Sequence, residues 1–253
     1  MAERQRTVVV TGAARGIGRG MAEVFLAAGD RVVGIDVDEA VLETSAAAAF
    51  EPVIADVGDI AAFEAALADV ISKFGCLDIL INNAGVTRRA DLMDLTEADW
   101  DRIMRVNAKG VFFGQQIAGR HMMDRGEGRI INIASVAGKG YPDSSNAIYA
   151  ASKGAVITMT RMAAHRMGPH GVTVNAICPG ITETEIFQGI VSRDSEARGV
   201  PYEDVHAEKV ANVPVRRTNT VEEVAQMALY LASPSARNIT GQAMHIDGGL
   251  IMD

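Results

Sequence analysis

"TVVVTGAARGIGRGMAEVF" fills residues 7–25 and carries three structural signals in succession. "TVVVT" (7–11) is a β-branched run of strand type. Gly12, Gly16 and Gly18 then share one turn with the spacing G-x-x-x-G-x-G, where absent side chains let the backbone bend sharply and a ligand come close. An apolar stripe resumes at once with helical spacing. A helix that starts there offers unbonded N–H groups and the positive end of its dipole to a phosphate. The spacing is not the better-known G-x-G-x-x-G, although the physics is shared. A glycine-rich loop alone is also an ordinary turn, so its neighbours decide the reading.

Outward from this stretch, short β-branched runs alternate with longer Ala-rich segments. The strand candidates are 7–11, "RVVGID" (31–36), "PVIA" (52–55), "LDILIN" (77–82), "GRIINI" (128–133), "VTVNAI" (172–177) and "QAMHI" (242–246). Helices are expected over 18–28, 60–74, 97–124, 150–167 and 221–232, and the alanine run 46–49 is also a helix-forming sequence. Near-continuous apolar strands between helices predict a parallel sheet covered on both faces. Right-handed crossovers make it doubly wound. No repeat, low-complexity tract or linker divides the 253 residues, so a single α/β domain over 1–253 is expected. The exception to tight alternation is 183–214, a connection long enough to predict a functional lid over about 185–215.

Composition narrows the function classes. A formal charge of −8 opposes nucleic acid as a partner, because phosphate backbones need a basic face. Cys76 and Cys178 lack metal or CxxC spacing and read as small buried hydrophobes of a reducing compartment. The opening "MAERQRTVVVTG" has only a three-residue apolar run, so no signal peptide is expected. No uninterrupted apolar stretch approaches the ~18 residues of a membrane span. A soluble, cytoplasmic protein without membrane contact follows as the expectation. The five histidines show no ligand spacing, so no metal is expected; His206 stands apart because it falls in the expected lid.

Asp36 closes the second strand 18 residues after Gly18, where a carboxylate can accept hydrogen bonds from an adenosine ribose. It would repel a 2′-phosphate, which favours NAD over NADP. Arg15, inside the turn, pulls the other way. Three further turns lie at expected C-terminal strand ends, where open α/β sheets bind ligands. They are "ADV" (55–57), "NNAG" (82–85) and "PGI" (179–181). Asp56 is placed to meet the adenine amino group and Val57 to pack on its ring. One of the two asparagines, Asn82 or Asn83, serves the turn itself. "YAASK" (149–153) sets Tyr149 and Lys153 on one helical face, where a cation within ~4–6 Å favours the phenolate.

TGAARGIG (11–18), ADV, NNAG, VNAKG (106–110), Ser135 in "IASVAG", YAASK, Pro179–Gly180 with Thr184, and "IDGG" (246–249) stand in the order of the classical short-chain dehydrogenases/reductases, which this chain resembles. The resemblance covers nearly the whole chain and is weakest over 185–215. It implies a Rossmann-like, seven-stranded parallel sheet and a catalytic set of Asn107, Ser135, Tyr149 and Lys153. It also implies cofactor contacts at Gly12, Arg15, Gly16, Ile17, Gly18, Asp36, Asp56, Val57, Asn83, Ala84, Gly85, Tyr149, Lys153, Pro179, Gly180, Ile181 and Thr184.

The expected chemistry is hydride exchange between NAD and a secondary alcohol or ketone. Tyr149 exchanges the proton and Ser135 steadies the reacting oxygen. Lys153 lowers the tyrosine pKa and holds the nicotinamide ribose, and Asn107 orders a water that reconnects Lys153 to solvent. Thr184 resembles the residue that fixes the carboxamide. Ser144, Ser145 and Ser152 rival Ser135 on sequence grounds. Only the family pattern prefers Ser135 over Ser152, which lies three residues after Tyr149. Thr87, Arg88, Ser144, Ser145 and Asn146 make a polar substrate wall, which favours a polyol, sugar or hydroxy acid. Arg88 and Arg89 could attract an anionic substrate or form a solvated pair. The same motifs would serve an NADPH-dependent 3-oxoacyl-[acyl-carrier-protein] reductase. A non-catalytic nucleotide sensor would lack one of Ser, Tyr or Lys, and none is missing. The family's habit and the apolar end of "GGLIMD" (248–253) lead to the expectation of a homotetramer.

Overall fold

A computed structural model describes residues 4–141 and 145–252 of the chain. Its strands are β1 (Thr7–Thr11), β2 (Arg31–Asp36), β3 (Phe50–Ile54), β4 (Ile79–Asn82), β5 (Gly128–Ile133), β6 (Val172–Pro179) and β7 (Ala243–Ile246). They form one parallel sheet in the order β3-β2-β1-β4-β5-β6-β7. This is the expected seven-stranded Rossmann-like α/β sheet. Its helices are α1 (Gly16–Ala27), α2 (Ile60–Phe74), α3 (Glu97–Met104), α4 (Val111–Arg125), α5 (Ala147–Met167), α6 (Glu185–Arg198), α7 (Tyr202–Val210) and α8 (Val221–Leu231).

The two-residue period of β1 divides the core. Val8 and Val10 face one side, in a cluster with Met21 and Phe25 of α1 and Val224 and Ala228 of α8. Val9 faces the other, with Phe63 and Leu67 of α2, Met122 of α4 and Met167 of α5. All three valines are fully buried, each stabilising the fold by roughly 1.5–3 kcal/mol relative to exposure. Burial on both faces favours apolar residues at the centre of the strand, as "VVV" shows, while Thr7 and Thr11 at its ends are buried as well.

Several elements depart from expectation. The segment 97–124 is not one helix: α3 gives way to a π-helical turn over Arg105–Gly110 before α4 begins. The alanines at 46–49 are not helical, since four residues cannot offset the cost of nucleating a helix. The segment expected as a lid, whose conformation the sequence leaves open, contains two helices, α6 and α7.

Candidate active site

The sheet order reverses between β1 and β4, which part to opposite sides and open a crevice at their C-terminal ends. The glycine turn after β1 and the NNAG turn after β4 form its two walls. Gly12 has φ +68°, and a Cβ there would stand 2.9 Å from Ala84 Cα, so only glycine lets the walls approach. A Cβ on Gly18 would fall 2.0 Å from the Gly12 carbonyl oxygen. Thr11 Oγ1 accepts the N–H groups of Asn83 and Ala84, each at 3.0 Å. Asn83 Nδ2 donates back to the carbonyls of Thr11 (2.9 Å) and Gly12 (3.2 Å). Asn82 meanwhile joins a buried network with Asn132, whose amide donates to Gln115 and Thr160. Both asparagine amides therefore brace the fold, where the sequence reading gave that task to one. Gly16, Ile17 and Gly18 form the first turn of α1, whose N–H groups have no intrahelical acceptor.

At the end of β2, Asp36 Oδ2 accepts the Ala14 N–H (3.0 Å) and Oδ1 accepts the Asp38 N–H (3.1 Å). An ionised carboxylate has about four acceptor positions, so two remain for a diol. Arg15 forms an ion pair with Asp38. Asp56 is less available than the sequence suggested. Partial burial raises its pKa, but hydrogen bonds from Arg105 (2.7 Å) and the Gly58 N–H (2.8 Å) outweigh that and hold it below the ordinary carboxylate value. Val57 is only 7% exposed, in the core cluster of Val9 and Phe63, and Gly110 lies against it. It turns into the core rather than forming a free floor for an adenine ring.

Farther along the crevice, β5 leads into Ser135, the N-cap of a 3₁₀ turn over Val136–Lys139, with Ser135 Oγ accepting the Ala137 N–H at 3.1 Å. Ser135 also lies beside the Tyr149 phenol, where its hydroxyl acts to lower the phenol pKa. Tyr149 sits in the first turn of α5, where Asn146 Oδ1 accepts its N–H at 2.8 Å. One helical turn on, Lys153 is 3% exposed and its ammonium donates to the Ile133 carbonyl at 2.6 Å. Lys153 Nζ lies 5.6 Å from the centre of the Tyr149 ring. Burial lowers its pKa to about 8. Burial likewise holds the Tyr149 phenol above its ordinary value, although Ser135 acts to lower it. The lysine was expected to depress the phenol; here desolvation raises it, and Ser135 is the group that acts to lower it.

Asn107 lies in the π-helical turn. Its Nδ2 donates to the Val86 carbonyl (2.9 Å) and to Ser152 Oγ (3.1 Å), and its Oδ1 accepts the Val86 N–H (2.8 Å). Ser152 Oγ in turn donates to the Tyr149 carbonyl at 2.7 Å. Of the rivals left open by the sequence, Ser152 is bound within its own helix and to Asn107, whereas Ser135 lies beside the phenol. Ser145 pairs with Thr87 at 3.1 Å, and Ser144 lies outside the described residues.

A family model described as enoyl-(acyl carrier protein) reductase matches residues 12–251. A short-chain reductase protein, NovJ, of Streptomyces niveus is 37% identical, over 97% of this chain and 94% of its own. The chain belongs to the short-chain dehydrogenase/reductase family. A sorbitol dehydrogenase of Cereibacter sphaeroides is 34% identical, over 96% of both chains. A 3-oxoacyl-[acyl-carrier-protein] reductase, FabG, of Thermotoga maritima is also 34% identical, over 98% of both. The protein is thus an oxidoreductase of a family that works with nicotinamide cofactors. The spare acceptor positions of Asp36, the glycine turn and the buried Lys153 fit such a group.

At the mouth of this short-chain dehydrogenase/reductase, several expected substrate contacts are occupied. Asn146 uses Oδ1 to cap α5 and Nδ2 to hold Thr87 Oγ1 (3.0 Å) and the Arg88 carbonyl (2.6 Å). It anchors the wall rather than presenting a free amide. Arg88 is paired with Asp99, and Arg89 with Asp194 at 3.2 Å on α6. Beyond β6, Gly180 donates its N–H to Ile246, and the Ile181 carbonyl accepts from Asn219. Gly180 also packs against Asp247 of the "IDGG" turn. Thr184 Oγ1 caps α6 through the Phe187 N–H at 3.3 Å, and its methyl group approaches Gly16. In α7, His206 packs between Phe187 and Tyr202, with Nε2 3.3 Å from Glu183. Lys209 joins α7 to α6 through Asp194 at 2.7 Å. Among the described residues no cluster of His, Cys, Asp or Glu could hold a metal ion, and no helix is long and apolar enough to cross a membrane.

Sequence reasoning missed Thr11, Asp38 and Arg105, which tie the crevice together. Thr11 stands directly before the first glycine, and Asp38 two residues beyond the end of β2. Those placements were the available signals. Arg105 meets Asp56 from 49 residues away, which no local pattern reveals.

Proposed function

We propose that this oxidoreductase uses NAD to interconvert a secondary alcohol and a ketone on a small polar substrate, such as a polyol, sugar or hydroxy acid. The observation that carries the reading is the buried Lys153 ammonium 5.6 Å from the centre of the Tyr149 ring, with Ser135 beside the phenol, in the crevice bounded by the glycine turn. When bound, the nicotinamide group gives or accepts the hydride. The rest of the work falls to the chain. Ser135 donates to the substrate oxygen and stabilises charge that develops there. Tyr149 exchanges a proton at the same oxygen: as phenol it protonates the alkoxide formed from a ketone, and as phenolate it removes the hydroxyl proton of an alcohol. Lys153 favours the phenolate by its charge and reaches the nicotinamide ribose. Asn107 fixes Val86 and Ser152 behind Lys153 and orders the water that returns the proton.

Asp36 supports NAD, since two backbone N–H groups fix its carboxylate where a 2′-phosphate would have to sit. The relative named sorbitol dehydrogenase agrees with a polar substrate. The second reading is an NADPH-dependent 3-oxoacyl-[acyl-carrier-protein] reductase. Relatives with that name favour it, and Arg15 is the residue that would serve it. The −8 charge opposes docking of an acidic carrier. We further propose a homotetramer, because Trp100, Phe112 and Met162 expose apolar surface on α3, α4 and α5.

Calorimetric titration of NAD against NADP, on the wild type and Asp36→Ala, tests the reading. NAD is expected to bind at least about tenfold tighter, roughly 1.4 kcal/mol, and the substitution to erase the difference. Tighter binding of NADP by the wild type would replace this reading with the carrier-protein one.

A further inference from the structure

We propose that Asp38 is a second determinant of cofactor choice, acting by holding Arg15 away from a 2′-phosphate. This rests on the NAD reading and assigns it a device beyond Asp36. Arg15 stands at the N-cap position of α1 with its side chain unused for capping, and its guanidinium is paired with Asp38 across the mouth of the adenosine end. The pair lies beside Asp36, whose Oδ1 accepts the N–H of Asp38 itself. One short loop therefore joins the ribose carboxylate and the clamp on the only cation of the glycine turn.

The loop is built to stay in place. Asp38 Oδ1 caps the 3₁₀ turn over Glu39–Glu43 by accepting the Ala40 N–H at 3.0 Å, while Oδ2 faces Arg15. Thr44, at the far end of that turn, is buried and donates to the Ala13 carbonyl at 3.1 Å, fastening the loop to the glycine turn. Asp38 thus uses one oxygen to order its own loop and the other to occupy Arg15. A 2′-phosphate entering here would have to displace an intramolecular carboxylate from Arg15 while facing a rim that keeps a net negative charge. NAD, which carries a free 2′-hydroxyl, meets neither obstacle. The side chains of Arg15 and Asp38 are 57% and 36% exposed, so the clamp is modest and salt-sensitive.

The test is a double-mutant cycle by calorimetry on the whole protein: wild type, Asp38→Asn, Arg15→Gln and the double variant, each titrated with NAD and NADP at low salt. Asparagine keeps the cap on Ala40, as does serine in a parallel Asp38→Ser variant, so loss of the loop is not the expected effect. Asp38→Asn is expected to raise NADP affinity roughly three- to tenfold, beyond any change for NAD, and the gain to vanish when Arg15 is Gln. Arg15→Gln alone is expected to leave NADP affinity nearly unchanged, because Arg15 is already taken. An equal gain in both Arg15 backgrounds would overturn the proposal, since Asp38 would then act only by its own charge. No gain in either Asp38 variant would overturn it too. Wild-type preference for NADP would refute the NAD reading instead, while the coupling between the two positions would still decide the role of Asp38.

Discussion

Ser135 and Ser152 both belong to the surroundings of Tyr149, and their hydroxyls do different work. Ser135 lies beside the phenol at the end of β5, whereas Ser152 bonds back to the Tyr149 carbonyl and accepts from Asn107. A hydroxyl that bonds back three residues within its own helix is unavailable to substrate. Ser135→Ala is therefore expected to lower turnover about 10²–10³-fold with cofactor affinity retained. Ser152→Ala is expected to cost about 1 kcal/mol of stability with a smaller loss of turnover, because it leaves Asn107 short of an acceptor. Turnover assays with thermal unfolding of both variants check the division. Equal losses of turnover would show that the two serines share the role.

The elements were unevenly legible. The limits of β1, β2, β5 and α2 are those the sequence indicated, because β-branched runs bounded by glycine and a capped amphipathic helix are local patterns. The π-helical turn was hidden, since its apolar spacing continues that of α3 and α4. Its extra residue is nevertheless where Asn107 turns to Val86. Helices α6 and α7 did leave signs: Thr184 caps α6, Gly199 at φ +63° ends it, and Pro201 precedes α7. Charge obscured them, for apolar burial there is thin, with Val191 the one buried residue of α6. At the site, Tyr149 and Lys153 were legible because four residues make one helical turn. The occupation of Asn146, Arg88 and Asp56 was not, because their partners lie far away in the chain.

Across the whole molecule, the sheet separates stability from chemistry. At its opposite edge, where β1 and β4 begin, Asp78 accepts from Arg4 (2.6 Å), Arg125 (3.0 Å) and the Thr7 N–H (2.7 Å). Burial alone would raise its pKa, but these partners outweigh it and lower the value to about 2. The folded state thus favours the ionised form, and the resulting stability, about 2 kcal/mol, is complete above pH ~4–5 and disappears as pH falls toward 2. Asp78→Asn is expected to destabilise the protein by about that amount at neutral pH, with the deficit shrinking below pH 4 and cofactor affinity preserved. Denaturant unfolding across pH checks this; a deficit that does not vary with pH would assign the loss to packing.

Proton transfer is proposed to fall to Tyr149, in a crevice that binds the cofactor independently. The most direct test is Tyr149→Phe, with NAD affinity measured by calorimetry and turnover by NADH absorbance with a panel of polyols and hydroxy acids. NAD affinity is expected to stay close to the wild type and turnover to fall at least about 10³-fold. Turnover within tenfold of the wild type would contradict it, because a ring without its hydroxyl has no proton to exchange.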